Sequence, residues 1–248
     1  MGIRWDVISD YMPMFLQGAV MTLEITVIGV LFGTLIGLFA GIARLAYAKY
    51  GLGKYLVAIF FRWPALLYIT FFRGTPLFVQ ILIVHFAIMP LLINPDGGWL
   101  IAGDLAREIK SEHGALVSGI IALSLNAGAY IAEIFRAGIQ SIDIGQAEAA
   151  RSLGMTYSKT MRFIIIPQAF RRMLPPLGNE AIMLLKDSSL VSVIGLAEMA
   201  FAAKSAFGAT SRVWEPYITI SIFYLVMTLG LSVLVSWLER RYGKGDIR

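Results

Sequence analysis

The sequence predicts an all-α integral membrane protein: five transmembrane helices, N-terminus outside and C-terminus inside, with one long helical loop on the cytoplasmic side. Three observations predict it. Of 248 residues, 58% are hydrophobic and 15% are charged, against roughly 25% charged in an ordinary soluble domain, and the mean hydropathy is +0.73. The apolar residues gather in runs long enough to cross hydrocarbon, which takes about 20 residues of helix. The basic residues gather in segments that then share one side of the bilayer. Zero cysteines exclude a disulfide framework, a thiol nucleophile and a thiolate-bound metal. Two distant histidines, His85 and His113, argue against a His-based metal or catalytic centre.

The first span is placed at about 15–45. The leader before it carries Asp6 and Asp10 and lacks a basic stretch, so it reads as a retained span and not as a cleaved signal peptide. The second lies within a long apolar run, 55–93, at about 65–93. Arg73-Gly74-Thr75-Pro76 is its expected break, since Pro cannot continue a helix and Gly relaxes it. Residues 74–93 alone are long enough to cross, which leaves 55–72, with Arg62 and Pro64, as an interfacial or steeply tilted helix. The third and fifth spans are placed at about 114–139 and 216–238. The fourth, about 177–200, is the exception, because it carries Glu180, Lys186, Asp187 and Glu198. No repeat or polar linker divides the chain, so residues 1–248 read as a single membrane domain.

With one crossing in the 55–93 run, one side collects Arg44, Lys49, Lys54, Arg62, Arg136, Arg151, Lys159, Arg162, Arg171, Arg172, Arg240, Arg241, Lys244 and Arg248, opposed by Asp143, Glu148, Glu239 and Asp246. The other side is more acidic than basic. The positive-inside bias makes the first side cytoplasmic. The net charge of +5 therefore reports orientation, and no nucleic-acid partner is expected.

The longest cytoplasmic connection is 140–172. Asp143 with Gln146 three residues later is a capping-box signature, and Gly154 is a natural helix stop. Thr156 can cap a second short helix running to Pro167. Ala147, Ala149 and Ala150 make the first helix slim enough to enter a groove on another protein.

Within this loop Glu148-Ala149-Ala150, three residues, Gly154, nine residues, Ile164, two residues and Pro167 resembles the EAA motif of ABC-importer permeases. Phe72-Arg73-Gly74-Thr75-Pro76, Ala129-Tyr130-Ile131-Ala132-Glu133-Ile134, Arg171-Arg172-Met173-Leu174-Pro175-Pro176-Leu177-Gly178-Asn179 and Leu185-Lys186-Asp187-Ser188-Ser189-Leu190 extend the likeness to the polar amino-acid permeases, most of all the glutamine branch. The resemblance implies the type I importer-permease (MetI-like) fold in a bacterial cytoplasmic membrane. It further implies docking through Glu148, Ala149, Ala150, Gly154, Ile164 and Pro167 onto an ABC ATPase present in two copies. A second permease copy or sister permease, an extracytoplasmic solute-binding protein and membrane lipid complete the expected partners. Independently, the chain has no Gly-x4-Gly-Lys-Ser/Thr. It is therefore expected to hold no cofactor and to be no enzyme, with ATP and Mg on the partner.

Ionisable residues inside spans default to functional candidates that face the bundle interior. Glu180 and Asp187 are seven residues apart, on nearly one helical face. Asn126, Tyr130 and Glu133 form an i, i+4, i+7 stripe on the third span, and the two stripes can face one pocket. A zwitterionic, amide-bearing amino acid needs acceptors and donors of the kinds supplied by Asp187, Ser188, Asn126, Asn179, Glu180, Gln80 and Glu133. The competing reading is structural: Glu133 with Arg136, and Lys186 with its acidic neighbours, as ion pairs that fix helix register. An ion-coupled secondary transporter also places carboxylates at the midplane, but it has no use for the 148–167 motif. An intramembrane hydrolase would need a metal or nucleophile motif that is absent from the sequence.

Overall fold

The computed structural model describes residues 4–45 and 52–242, without the side chains of Leu52 and Lys54. Lys49, Lys244, Asp246, Arg248 and the side chain of Lys54, all assigned above to the cytoplasmic side, lie outside the described residues. Helix α1 is Asp6–Leu45. Helix α2 covers 52–74 and contains a π turn at Ala58–Arg62. Helix α3 is Leu77–Leu92, and α4 is Gly103–Gln140. The short α5 is Ile144–Ser152. Helix α6 is Tyr157–Ile194, its last seven residues wound as a 3₁₀ helix. Helices α7 and α8 are Met199–Thr210 and Trp214–Tyr242.

The frame is the pair α1 and α4. Lipid tails are as apolar as leucine, so membrane helices associate by close packing, which small residues permit. Gly29, Gly33, Gly37 and Gly41 recur every fourth residue and share one face of α1. They meet Leu123, Ala127, Ile131 and Phe135 of α4 in that order, so the two helices run parallel. The approach is tight: a Cβ at Gly37 would stand 2.7 Å from Ile131 Cγ2 and 2.9 Å from the Gly128 carbonyl oxygen. Leu123, Ala127 and Ile131 continue into the central core with Ile25, Ile81, Val84, Leu184 and Val191.

The long apolar run 55–93 folds as two helices. The Tyr68 hydroxyl donates to the Leu125 carbonyl at 2.6 Å, Asn126 Nδ2 donates to the Phe72 carbonyl at 3.4 Å, and His85 lies against Ser118. Residues 68 to 85 therefore run antiparallel to α4, and the end of α2 sits opposite the middle of α4. Residues 74–93 hold only the 16-residue α3, whereas Tyr55–Gly74, expected from the sequence to be interfacial or steeply tilted, is long and apolar enough to cross. Thr75 and Pro76 are extended between the helices, because the proline ring pushes its predecessor out of the α region and offers no N–H.

The fourth crossing also departs from expectation. Helix α6 does not stop at Pro167 but continues through it, and through Pro175 and Pro176. A π turn at Met161–Ile165 precedes Pro167, which leaves the proline in the first turn of the α-helical stretch, where an N–H is dispensable. The helix itself ends at Ile194. Gly195 adopts φ +87°, and α7 sets off at 48° to α6. Asp187 thus closes the α-helical part of this span and does not mark its midpoint. Helix α7 packs on the N-terminal end of α1 through Phe15, Met199, Ala203 and Ala206. By length and composition α1, the Tyr55–Gly74 part of α2, α4 and α8 can each cross a membrane, and α6 with α7 is a fifth, bent candidate.

Candidate functional site

Two features converge where α4 meets α6. The first is α5, at the arginine-rich end. Asp143 caps it by accepting from the Gly145 N–H at 2.7 Å. Gly154 closes it at φ +78°, with Gly154 N–H to the Arg151 carbonyl at 2.9 Å and Met155 N–H to the Ala150 carbonyl at 3.1 Å. These two bonds are the 5→2 and 6→1 pairs of a Schellman stop. On the slim side Ala147 packs against Ile142, Ile165 and Ala169, and Ala150 is buried. Ile144, Glu148, Leu153 and Tyr157 point away from the bundle, Leu153 with 84% of its surface exposed. Ile164 is half-buried beneath, and Pro167 is exposed on α6.

The second feature is a cleft of about 520 Å³ between the end of α2, α4 and α6, lined by Arg73, Tyr130, Glu133, Ser141, Arg172, Asn179 and Glu180 among others. The two stripes read from the sequence thus meet in part, through Tyr130 and Glu133 on one wall and Asn179 and Glu180 on the other. Glu133 is engaged by three arginines. Arg44 and Arg136 hydrogen-bond it, and Arg73 Nη1 stands 3.9 Å away. The Arg73 guanidinium also lies 5.4 Å over the Tyr130 ring, a cation–π geometry. Arg172 Nη1 donates to the Ser141 carbonyl at 2.5 Å and ties α6 to the end of α4. Glu180 is only 8% exposed and makes no hydrogen bond among the described residues.

The remaining sequence candidates lie elsewhere. Gln80 and Asn126 are buried together at the break between α2 and α3 and bond to each other. Ser188 is buried and donates to the Leu185 carbonyl, and neither it nor Asp187 lines the cleft. Sequence reasoning did not pick out Arg73 and Arg172 as cleft residues. Arg73 carried a usable signal, a full charge within an apolar run, but was read only as part of the helix break. Glu198 was likewise noted only as a charge in the fourth stretch. It is fully buried and accepts from the Phe201 N–H at 2.8 Å, Tyr224 Oη at 2.9 Å and Thr22 Oγ1 at 3.5 Å, which joins α1, α7 and α8.

Residues 51–244 match the family described as binding-protein-dependent transport system inner membrane component. The chain belongs to this family. It is 37% identical over 241 residues to the glutamine transport system permease protein of Escherichia coli K12, covering 97% of this chain and 98% of that one. It is 34% identical over 247 residues to the arginine transport system permease protein of Bacillus subtilis, covering 99% and 100%. A solved amino acid ABC transporter with histidines superposes at a TM-score of 0.80 with 40% identity, over 97% of this chain and 100% of that one. The binding-protein-dependent permease described here is thus a multi-pass transport subunit with the type I importer-permease fold. Of the EAA-like pattern, Glu148, Ala149 and Ala150 lie on α5, Gly154 in the turn after it, and Ile164 and Pro167 on α6.

Proposed function

We propose that this permease moves a polar amino acid across a bacterial cytoplasmic membrane, driven by a separate ATPase and fed by an extracytoplasmic binding protein. The observation that carries the reading is the continuity of α6. One continuous helix runs from the end of the exposed α5 element to the cleft wall. Force applied to α5 by an ATPase pair would therefore move Asn179 and Glu180 relative to Tyr130 and Arg73, a rigid-body route to alternating access. Glu148, Ala149, Ala150, Gly154, Ile164 and Pro167 form the ATPase contact in this reading, and ATP and Mg stay on the partner.

The cleft chemistry suits a zwitterion with a polar side chain. Arg73 and Arg172 present guanidinium donors to a carboxylate. Glu180 presents an unpaired acceptor to an ammonium, and Asn179 offers both donor and acceptor to a side-chain amide. Glutamine is the first candidate cargo, with arginine, histidine and glutamate as the competitors to test. Five crossings do not enclose a path, so two permease copies, or this chain and a sister, would pair over two ATPase copies.

The test is uptake by the complete complex in proteoliposomes, with each amino acid in turn as competitor. ATP-dependent uptake competed by glutamine or another polar amino acid is expected. Uptake driven by an ion gradient without ATP would favour a secondary transporter and sink the reading. Wild-type uptake by Gly154→Glu would remove α5 from the coupling path.

A further inference from the structure

At the arginine-rich end, a separate cavity of about 340 Å³ lies between the last turn of α1 and the π turn of α2, lined by Arg44, Ala58, Arg62, Trp63 and Leu66. We propose that it binds the phosphodiester headgroup of an anionic phospholipid of the cytoplasmic leaflet.

The electrostatics call for an anion. Among the described residues no carboxylate lines the cavity. Arg44 is bonded to Glu133, whose charge is already divided among Arg44, Arg136 and Arg73. Arg62 has no ion-pair partner among the described residues, so positive charge is in local excess. A guanidinium presents donors in a planar fork that matches phosphate oxygens. The π turn at Ala58–Arg62 shifts the helical register here, and such turns recur at functional sites.

The surroundings select a lipid over a protein or a free ion. Tyr55, Ile59, Phe60, Phe61, Trp63 and Leu67 are all exposed on α2, Trp63 by 60%. In a bilayer this apolar skirt meets acyl chains, and Trp at the cavity mouth belongs at headgroup level. Basic pockets between membrane helices on the cytoplasmic side are suited to anionic headgroups. Hydrocarbon below and phosphate at the arginines are the two halves of one phospholipid.

The test is native mass spectrometry of the purified complete complex titrated with dioleoyl phosphatidylglycerol or dioleoyl phosphatidylcholine. The wild type should retain phosphatidylglycerol in preference. Loss of one arginine near the surface, worth about 1 kcal/mol, should cut that retention about five-fold in Arg62→Ala, with Arg62→Lys restoring part of it. Arg62→Gln serves if the truncation lowers yield. Arg162→Ala, an exposed arginine on α6 outside the cavity, should leave retention unchanged. Equal retention by wild type and Arg62→Ala overturns the proposal. So does an equal loss in Arg162→Ala, which would mean diffuse surface charge, or displacement of the lipid by millimolar inorganic phosphate, which would make a free ion the occupant.

Discussion

Asn126 Nδ2 donates to Gln80 Oε1 at 2.9 Å, and Gln80 Nε2 in turn approaches the Phe72 carbonyl at 2.8 Å and the Thr75 carbonyl at 3.0 Å. A helix broken at mid-membrane frees backbone carbonyls where no water can meet them, and each unsatisfied group costs several kcal/mol. The Gln80 amide satisfies the carbonyls that Pro76 and its neighbours free. Asn126 holds that amide in place from α4. Two amides that look from the sequence like groups for an amide-bearing cargo thus stabilise the break between α2 and α3.

Gln80→Leu removes the donor while leaving the break, so it is expected to destabilise the complex by about 1–3 kcal/mol. The readout is the thermal midpoint of the purified complex. Asn126→Leu should cost less, since the carbonyls keep Gln80. The double variant should fall short of the sum of the two, because the residues share one network. Additive losses would separate them.

The four-residue glycine ladder gives a sharper contrast. Gly37→Ala forces a methyl against Ile131 and the Gly128 carbonyl, and overpacking of this kind costs about 1–3 kcal/mol. Gly230→Ala on α8 meets nothing within 4 Å and should be neutral or slightly stabilising, as Ala is the better helix former. Melting curves of the two variants side by side decide the matter. Equal midpoints would mean that the ladder bears no close contact.

The places where sequence reading succeeded and failed have physical causes. The presence of several apolar helices long enough to cross was legible because hydrocarbon sets a minimum length. The wall formed by Tyr130 and Glu133 was legible because helical spacing fixes which residues share a face. Proline was the weak sign. Pro76 does break a helix, whereas Pro167 does not, since the π turn ahead of it depends on backbone winding that no residue type announces. Arg73 joins the cleft from the end of α2 and Arg172 from within α6, and their meeting there is tertiary, outside the reach of local periodicity.

Glu198 supplies a third expectation. It caps α7 and takes hydrogen bonds from α1 and α8 while fully buried. Glu198→Ala leaves the Phe201 N–H and the Tyr224 hydroxyl without their acceptor and should cost about 2 kcal/mol. Glu198→Gln retains an acceptor oxygen and should lose clearly less. Proteolysis between α7 and α8, at residues 211–213, reports the loosening directly, and only Glu198→Ala should be cut faster than wild type.

The cleft separates Glu180 from Asp187. Glu180 lines it and has no hydrogen-bond partner among the described residues, whereas Asp187 lies outside it. If the Glu180 carboxylate receives the ammonium of the cargo, Glu180→Gln removes a charge-assisted bond worth about 1.5–3 kcal/mol. That predicts a rise in KM for uptake of about 10- to 100-fold. Asp187→Asn keeps the cleft wall intact and should shift KM much less. Both are read in proteoliposomes holding the complete complex, with ATP hydrolysis in the absence of cargo as the control for assembly. A larger KM shift in Asp187→Asn would move the ammonium site out of the cleft and toward the start of the 3₁₀ segment.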